Sequence, residues 1–504
     1  MSDRGRVALV LGAVAVIAGG AGFYFIKIYR PNQIARDAQH EIEAWEARWQ
    51  AARDCLLGAS PGSSRTSEAL AIRELSPDPW QGGSCTQLMA KLSRGDAPDT
   101  GLPAVEAAWG ELDHAASQAA TAFAWHVAKV KGIDSLPGTL DKLDAARAAL
   151  RASAGLPTSE RTAPPPLPAA QVVPIRDGAD PVGKLELAGV LPSAHGILCA
   201  GTTPNRMVEV QLVPGAAPRV ARVGPNLFRA APDPRWGARS SGALVELGDF
   251  DDEGAMAAPR PLGKLGDHQL VLAALGSHAA GELVYSEPGK TVGIAHVHGD
   301  TWEQISIAGV TRAGADVDTD GRAVLQLETA KGFAAQIVKP DGDEPAVVLD
   351  AGDASDACLS ADRGWLRLGE EVIGFGGGHP LVRAPIQGEL IGCSLDGAIA
   401  VAPEQPREAQ LCGNTCRTAQ LPVGVPERAA LTTIGGKLVA VAIHGGVLAM
   451  WREGQPPAFY ALDARLRLGE DDQPRVVALS DGKTIDVVVQ DDKAYAIARI
   501  TPRW

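Results

Sequence analysis

The chain has 504 residues, 45% of them apolar and 21% charged, which is enough for two or three domains with a sizeable core. Its 60 acidic residues against 47 Lys and Arg leave a formal net charge of −13, so no basic face is offered to a phosphate backbone and nucleic acid is excluded as a partner. The 57 Gly and 36 Pro gather late in the chain, which reads as many turns and therefore many short strands.

After a tail at residues 1–6, Val7 to Ile26 runs for 20 residues without a charge, long enough as a helix to cross about 30 Å of hydrocarbon. Arg4 and Arg6 precede it, Lys27, Arg30 and Arg36 follow, and Phe23, Tyr24, Phe25 and Tyr29 fall where amphipathic rings favour a membrane interface. The run exceeds the roughly 7–15 apolar residues of a cleaved signal peptide, so residues 7–28 are expected to be a transmembrane signal anchor. Ala15-x-x-x-Gly19 and Ala18-x-x-x-Gly22 permit close helix pairing. The flanking charges nearly balance. The seven cysteines favour an oxidising compartment, and so a single-pass protein of the inner (plasma) membrane with extracytoplasmic C-terminal domains.

Residues 32–155 read as a small α-helical bundle. Ile42, Trp45, Trp49, Ala52 and Leu56 recur three and four apart, and Val105, Trp109, Leu112, Ala116, Ala119, Phe123 and Val127 repeat the pattern. A short helix is expected over Thr86 to Leu92, and a third long one from Thr139, which would cap it, burying Leu140, Leu143 and Leu150. Cys55 and Cys85 flank a Pro/Gly/Ser-rich stretch and are expected to form a disulfide. "GASPG", Gly58 to Gly62, matches G-x-S-x-G, but it trails a helix and contains Pro61, whereas a nucleophile elbow needs strand, turn and helix. Residues 156–174 form a Pro-rich, semi-rigid linker.

From about 184 the helical period disappears. Residues 266–309, 310–352, 353–387, 388–423 and 424–466 each offer up to four β-like runs between Asp-Gly, Gly-Gly or Pro-containing turns. Runs such as "LVAVAI", Leu438 to Ile443, are apolar on both faces, as strands covered on both sides must be. The last unit, ending at Ile500, has three clear runs, and "KLELAGVL" near 184 would complete it and close a ring. This four-strand period resembles that of β-propeller repeat proteins, and two turns resemble a degenerate Asp-box: "SADRG", Ser360 to Gly364, with Trp365 close behind, and "GDTW", Gly299 to Trp302. The resemblance implies a β-propeller of about seven blades over residues 175–504, with two stacked sandwiches as the other architecture. It implies no sialidase activity, because no set of catalytic arginines, tyrosine and acid matches. The fold class is α+β multidomain: transmembrane helix, helical bundle, all-β repeat domain.

The chemical candidates are few. Asp316, Asp318 and Asp320 before Gly321 suggest a calcium loop, but an EF-hand wants a bidentate Glu where Leu327 stands, so a strand-joining turn is the better reading. His296 and His298 share one face of a strand, as some metal sites require, with Asp300 or Glu303 as further ligands. Cys412 and Cys416 suggest a disulfide within that loop or to Cys393, Cys358 or Cys199, with one of the five β-region cysteines left over. No cofactor is implied, and catalytic residues are unknown. The expected role is a non-enzymatic binding or scaffolding module with a protein partner or envelope component. The alternatives are a propeller-type hydrolase or lyase with scattered catalytic residues, and a structural subunit of an envelope assembly.

Overall fold

The computed structural model describes residues 3–503 apart from 59–64, 76–79, 81–83, 94–98, 129, 131–134, 158–164, 183–184, 187–191, 204–205, 224–226, 242–243, 252–254, 265–269, 288–290, 350–353, 403, 406, 422–428, 463–476 and 491–494. The chain divides into two compact units, Met1–Leu167 and Pro168–Trp504. "GASPG" beyond Gly58 and residues 158–164 of the central linker lie outside the described residues.

The first unit is helical. Helix α1 (Asp3–Tyr24) passes through a π-helical turn at Phe25–Tyr29 into α2 (Arg30–Leu57), and the Arg30 N–H bonds back to the Phe25 carbonyl. Between the expected membrane segment and the bundle there is thus no break. Pro31 has no N–H to give the preceding turn, and the helix widens to π geometry just before it. Leu11, Val14, Val16, Ile17, Phe23, Tyr24 and Phe25 are exposed. Residues 7–28 are expected to cross a membrane, yet among the described residues no helix is long and apolar enough to do so.

The stripe on α2 is buried from Ile42 to Leu56, with Trp45 and Trp49 stacked at 6.4 Å and the Trp45 indole donating to the Leu92 carbonyl at 3.0 Å. Helix α3 (Thr66–Glu74) occupies part of the stretch expected as loop, and α4 is Ser84–Ala90. Helix α5 (Pro103–Val127) buries Val105, Trp109, Leu112, Ala116, Ala119 and Phe123, whereas Val127 is exposed because the helix ends there. Helix α6 (Leu136–Ser153) starts one turn earlier than expected. Its cap is Ser135, whose side chain accepts from the Gly138 N–H, and Thr139 lies buried inside, bonded to the Leu136 carbonyl. A disulfide joins Cys55 to Cys85.

In the second unit, the described residues form eight sheets of four or five strands that follow one another along the chain, antiparallel except where Ala231–Pro232 pairs in parallel with Leu275–Gly276. Numbered in chain order, the first spans Leu185–Val223 and the second Leu227–Lys264. The third (Leu270–Ala308) also pairs with Ala231–Pro232, and the fourth runs Val310–Leu349. The fifth is Ala354–Pro385, the sixth Glu389–Gln420 and the seventh Ala430–Ala461. The eighth combines Val477–Ser480, Ile485–Gln490 and Tyr495–Ile500 with Gln171–Pro174, paired through Gln171↔Arg499 to Pro174↔Ala496.

Each sheet packs on the next. Continuous apolar clusters join second to third, third to fourth, fourth to fifth and fifth to sixth. The sixth meets the seventh through their first strands, and the first meets the second through their facing edges. Further clusters join the eighth sheet to the seventh on one side and to the first on the other, which closes the ring. Lys437–His444 shows why this needs strands apolar on both faces: Val439, Val441 and Ile443 enter one cluster, and Leu438, Ala440 and Ala442 are buried on the other side. The second unit is a β-propeller.

Two findings depart from the sequence reading. The closing strand is Gln171–Pro174, within the expected linker, whereas Leu185–Glu186 of "KLELAGVL" pairs with Gly201 and Ala200 in the first sheet. Two complete sheets also precede residue 266, where the legible repeats begin.

Candidate functional site

The turns joining the first and second strands of several sheets start at a buried polar residue: Asp318, Ser360, Ser394 and Ser480. Ser360 Oγ accepts from the Trp365 indole at 3.1 Å and from the Arg363 N–H, so the "SADRG" turn and its tryptophan form one bonded unit. Asp318 is fully buried and accepts from the Asp320 and Arg322 N–H groups and from the Arg322 guanidinium. Asp316 accepts from Gln326 at 2.7 Å, and burial raises its carboxyl to about 6. Asp320 turns instead to His195, at 2.6 Å. The three aspartates therefore spend their oxygens on three different partners, and Gly321 (φ +81°) supplies the turn between Val317 and Ala323.

His195 belongs to a segment that crosses the ring. Pro192–Gly196 leads into the second strand of the first sheet, yet its bonds go to turns and strands of the fourth, fifth and sixth sheets. The Thr319 hydroxyl donates to the His195 carbonyl, and Ala194 N–H donates to the Leu359 carbonyl at 2.9 Å. Leu359 N–H donates to Ser193 Oγ, and Cys393 N–H to the Pro192 carbonyl at 2.7 Å. First strands of successive sheets touch one another from the third sheet to the eighth, so they line the axis, and the segment spans the opening at one of their ends. The His195 hydrogen bond holds the Asp320 carboxyl below its usual range against the opposing effect of burial, with the charges of His195 and Arg322 adding to the lowering.

A second cluster lies between the third and fourth sheets. Glu282 and His296 are cross-strand neighbours, so both side chains leave the same face, the one that carries Val284, Val292 and Ile294 into the interface with the fourth sheet. Asp343 reaches them from the connection after Gly332–Val338, and the donor atoms of the three lie within 4.8 Å of one another. His296 Nδ1 is 3.2 Å from Glu282 Oε1. Glu282 is 0% exposed, and no protein donor reaches either of its oxygens, or Oδ1 of Asp343, in hydrogen-bond geometry. Burial first, then the negative charge of Asp343, a proton-sharing contact with its carboxyl, and the charge of Asp341 push Glu282 up to about 9.

Of the sequence candidates, His296 sits in this cluster and His298 sits exposed at the strand end. Glu303 pairs opposite His296 on the outer strand, and Asp300 is engaged by Arg260. Sequence reasoning missed Glu282 and Asp343. The available signal was a glutamate on a strand face otherwise filled by valine and serine. Cys412 and Cys416, directly opposite on neighbouring strands, are bonded to each other, and Cys358 to Cys393. The Cys199 side chain lies outside the described residues.

A cleft of about 930 Å³ opens between the hairpin at Arg176–Pro181 and the first two sheets, lined by Arg219, Arg222, Arg229 and Arg235 and also by Asp177, Asp233 and Asp251. Arg222 pairs with Asp177 at 3.2 Å, and Arg229 lies 4.8 Å over the Phe250 ring while donating to the Arg222 and Pro234 carbonyls. Arg235 is exposed at the rim.

No family model matches the chain, and no curated protein matches it in sequence. Among solved structures it is similar to the WD40 domain of SCAP from fission yeast, at 9% identity and a TM-score of 0.38, over 66% of this chain and 98% of that one. It is similar to BamB from Moraxella catarrhalis at 9% identity and a TM-score of 0.35, over 66% and 99%. With apo AztD from Citrobacter koseri the values are 14% and 0.32, over 60% and 94%. At scores this low the fold rests on the sheet pairing and ring closure described above.

Proposed function

We propose that the chain is a single-pass, membrane-anchored protein whose propeller head works outside the cytoplasm as a binding or scaffolding module for a protein partner. The observation that carries this reading is the closure of the ring by its own Gln171–Pro174 strand, which makes a self-bonded frame that presents loops and a cleft. We take each of the eight sheets as one blade, one more than the length suggested. The anchor is argued from the uncharged run Val7–Ile26 and from the exposed apolar side chains along α1, which have no protein cover. The compartment is argued from the three disulfides. We place the partner on this cleft of mixed charge, where the exposed Arg219 and Arg235 suit acidic side chains.

Alkaline phosphatase fused after Trp504 tests the compartment. Activity is expected, and a silent enzyme beside an active cytoplasmic reporter would overturn the placement. A photocrosslinker at position 235 in intact membranes should give one discrete protein adduct, weakened by Arg219→Glu. Adducts from α5 positions with none from 235 would move partner binding to the helical unit.

A further inference from the structure

We infer that Glu282, His296 and Asp343 form a binding site for one divalent cation of the zinc class, set between the third and fourth sheets. The site is independent of the partner reading and survives its failure.

Glu282 is the reason to look for a ligand. Its side chain is fully buried, and although His296 Nδ1 lies 3.2 Å from Oε1, no donor reaches either oxygen in hydrogen-bond geometry. A carboxylate without donors in an apolar interface is strongly disfavoured, and folded proteins meet that cost with a donor, a proton or a cation. The neighbours are a second carboxylate, Asp343, with a buried unpartnered oxygen of its own, and one imidazole. They offer a poor donor set for a carboxylate and a good ligand set for an ion. Two carboxylates and a neutral imidazole carry the charge that a dication cancels.

The donor types narrow the ion. One imidazole nitrogen with carboxylate oxygens suits Zn²⁺, or Mn²⁺ less well, whereas Ca²⁺ and Mg²⁺ prefer all-oxygen shells. Three protein ligands leave a fourth tetrahedral position for water. Glu282 and His296 are fixed by the cross-strand register. Asp343 is carried by a connection that is itself tied down: Gly342 N–H donates to the Lys339 carbonyl, Glu344 N–H to the Ile337 carbonyl, and Gly377 N–H to the Glu344 carboxylate at 2.7 Å. The ligand atoms thus come from two sheets, and an ion held there would bond one sheet to the next.

The test uses the full chain, purified in detergent, stripped with a chelator and titrated with ZnCl₂, with MnCl₂, CaCl₂ and MgCl₂ as comparators. Bound metal is read by elemental mass spectrometry and stability by thermal midpoint. We expect about one zinc per chain and a rise in midpoint larger than calcium or magnesium produces. Glu282→Gln and Asp343→Asn should each weaken zinc binding by more than about tenfold, while His298→Ala leaves it unchanged. Asp343 is only half-buried, so Asp343→Asn carries the test even if Glu282→Gln fails to fold. Zinc uptake that persists in Asp343→Asn, or no uptake by the wild type at about 1 mM, would overturn the site.

Discussion

Asp320 shows what one turn residue adds when a distant segment leans on it. Its carboxyl is held low by the hydrogen bond from His195, so the stabilisation it gives the crossing segment is present above the ordinary carboxylate range and lost as pH falls through the depressed value. His195, Arg322 and the buried Asp318 are the charged groups that face it. The Ala194 amide, which donates to the Leu359 carbonyl, should therefore exchange hydrogen faster relative to a core amide such as Val441 as the solution is taken from about pH 6 to pH 3. In Asp320→Asn that ratio should stay flat; a ratio that moves equally in both proteins would refute the link. At this scale the sequence was partly legible. The Asp-Gly turn could be read because both residues favour the geometry. The partners of His296 could not, since Glu282 and Asp343 meet it only through strand register and the packing of one sheet on another.

Between elements, the disulfides differ in what they tie. Cys358–Cys393 joins the first strands of the fifth and sixth sheets across 35 residues, whereas Cys412–Cys416 staples one hairpin across 4. Loop-closure entropy then gives about 4 kcal/mol for the longer link and about 2 kcal/mol for the shorter, and Cys55–Cys85, across 30 residues, is comparable to the longer. Paired Cys→Ser replacements should lower the denaturation midpoint of the head more for Cys358/Cys393 than for Cys412/Cys416. Those at Cys55/Cys85 should leave the head transition in place. The reverse order for the head pairs would mean that strain or denatured-state structure outweighs loop length. Repeats after 266 were readable because strong apolar runs alternate with glycine turns. The second sheet was not, because its last strand carries Pro259 and Pro261, and proline weakens a strand signal even where the edge of a sheet tolerates it.

For the whole molecule the decisive boundary is a few residues wide. A fragment of residues 168–504 keeps Gln171–Pro174, while one of residues 175–504, starting where the linker seemed to end, loses the fourth strand of the eighth sheet. The longer fragment should unfold in one cooperative transition. The shorter should melt lower and expose the Tyr495–Ile500 edge, read as faster exchange of its amides and a tendency to associate. Equal melting of the two would show that the strand is dispensable. Four residues in a Pro-rich stretch carry little sequence signal, because their strand character comes from a partner at the far end of the chain.

That separation also sets an order of events. The ribosome makes Gln171–Pro174 about 320 residues before Tyr495–Ile500, which at ordinary elongation rates is on the order of 15–65 s. For that interval the early strand waits without its partner, and seven sheets can stack in sequence while the ring stays open. Tyr495–Ile500 then acts as the latch. A chain stalled or clipped before Tyr495 would carry every blade but the finished one, with a loose strand at one end and a bare edge at the other for a protease or chaperone to find.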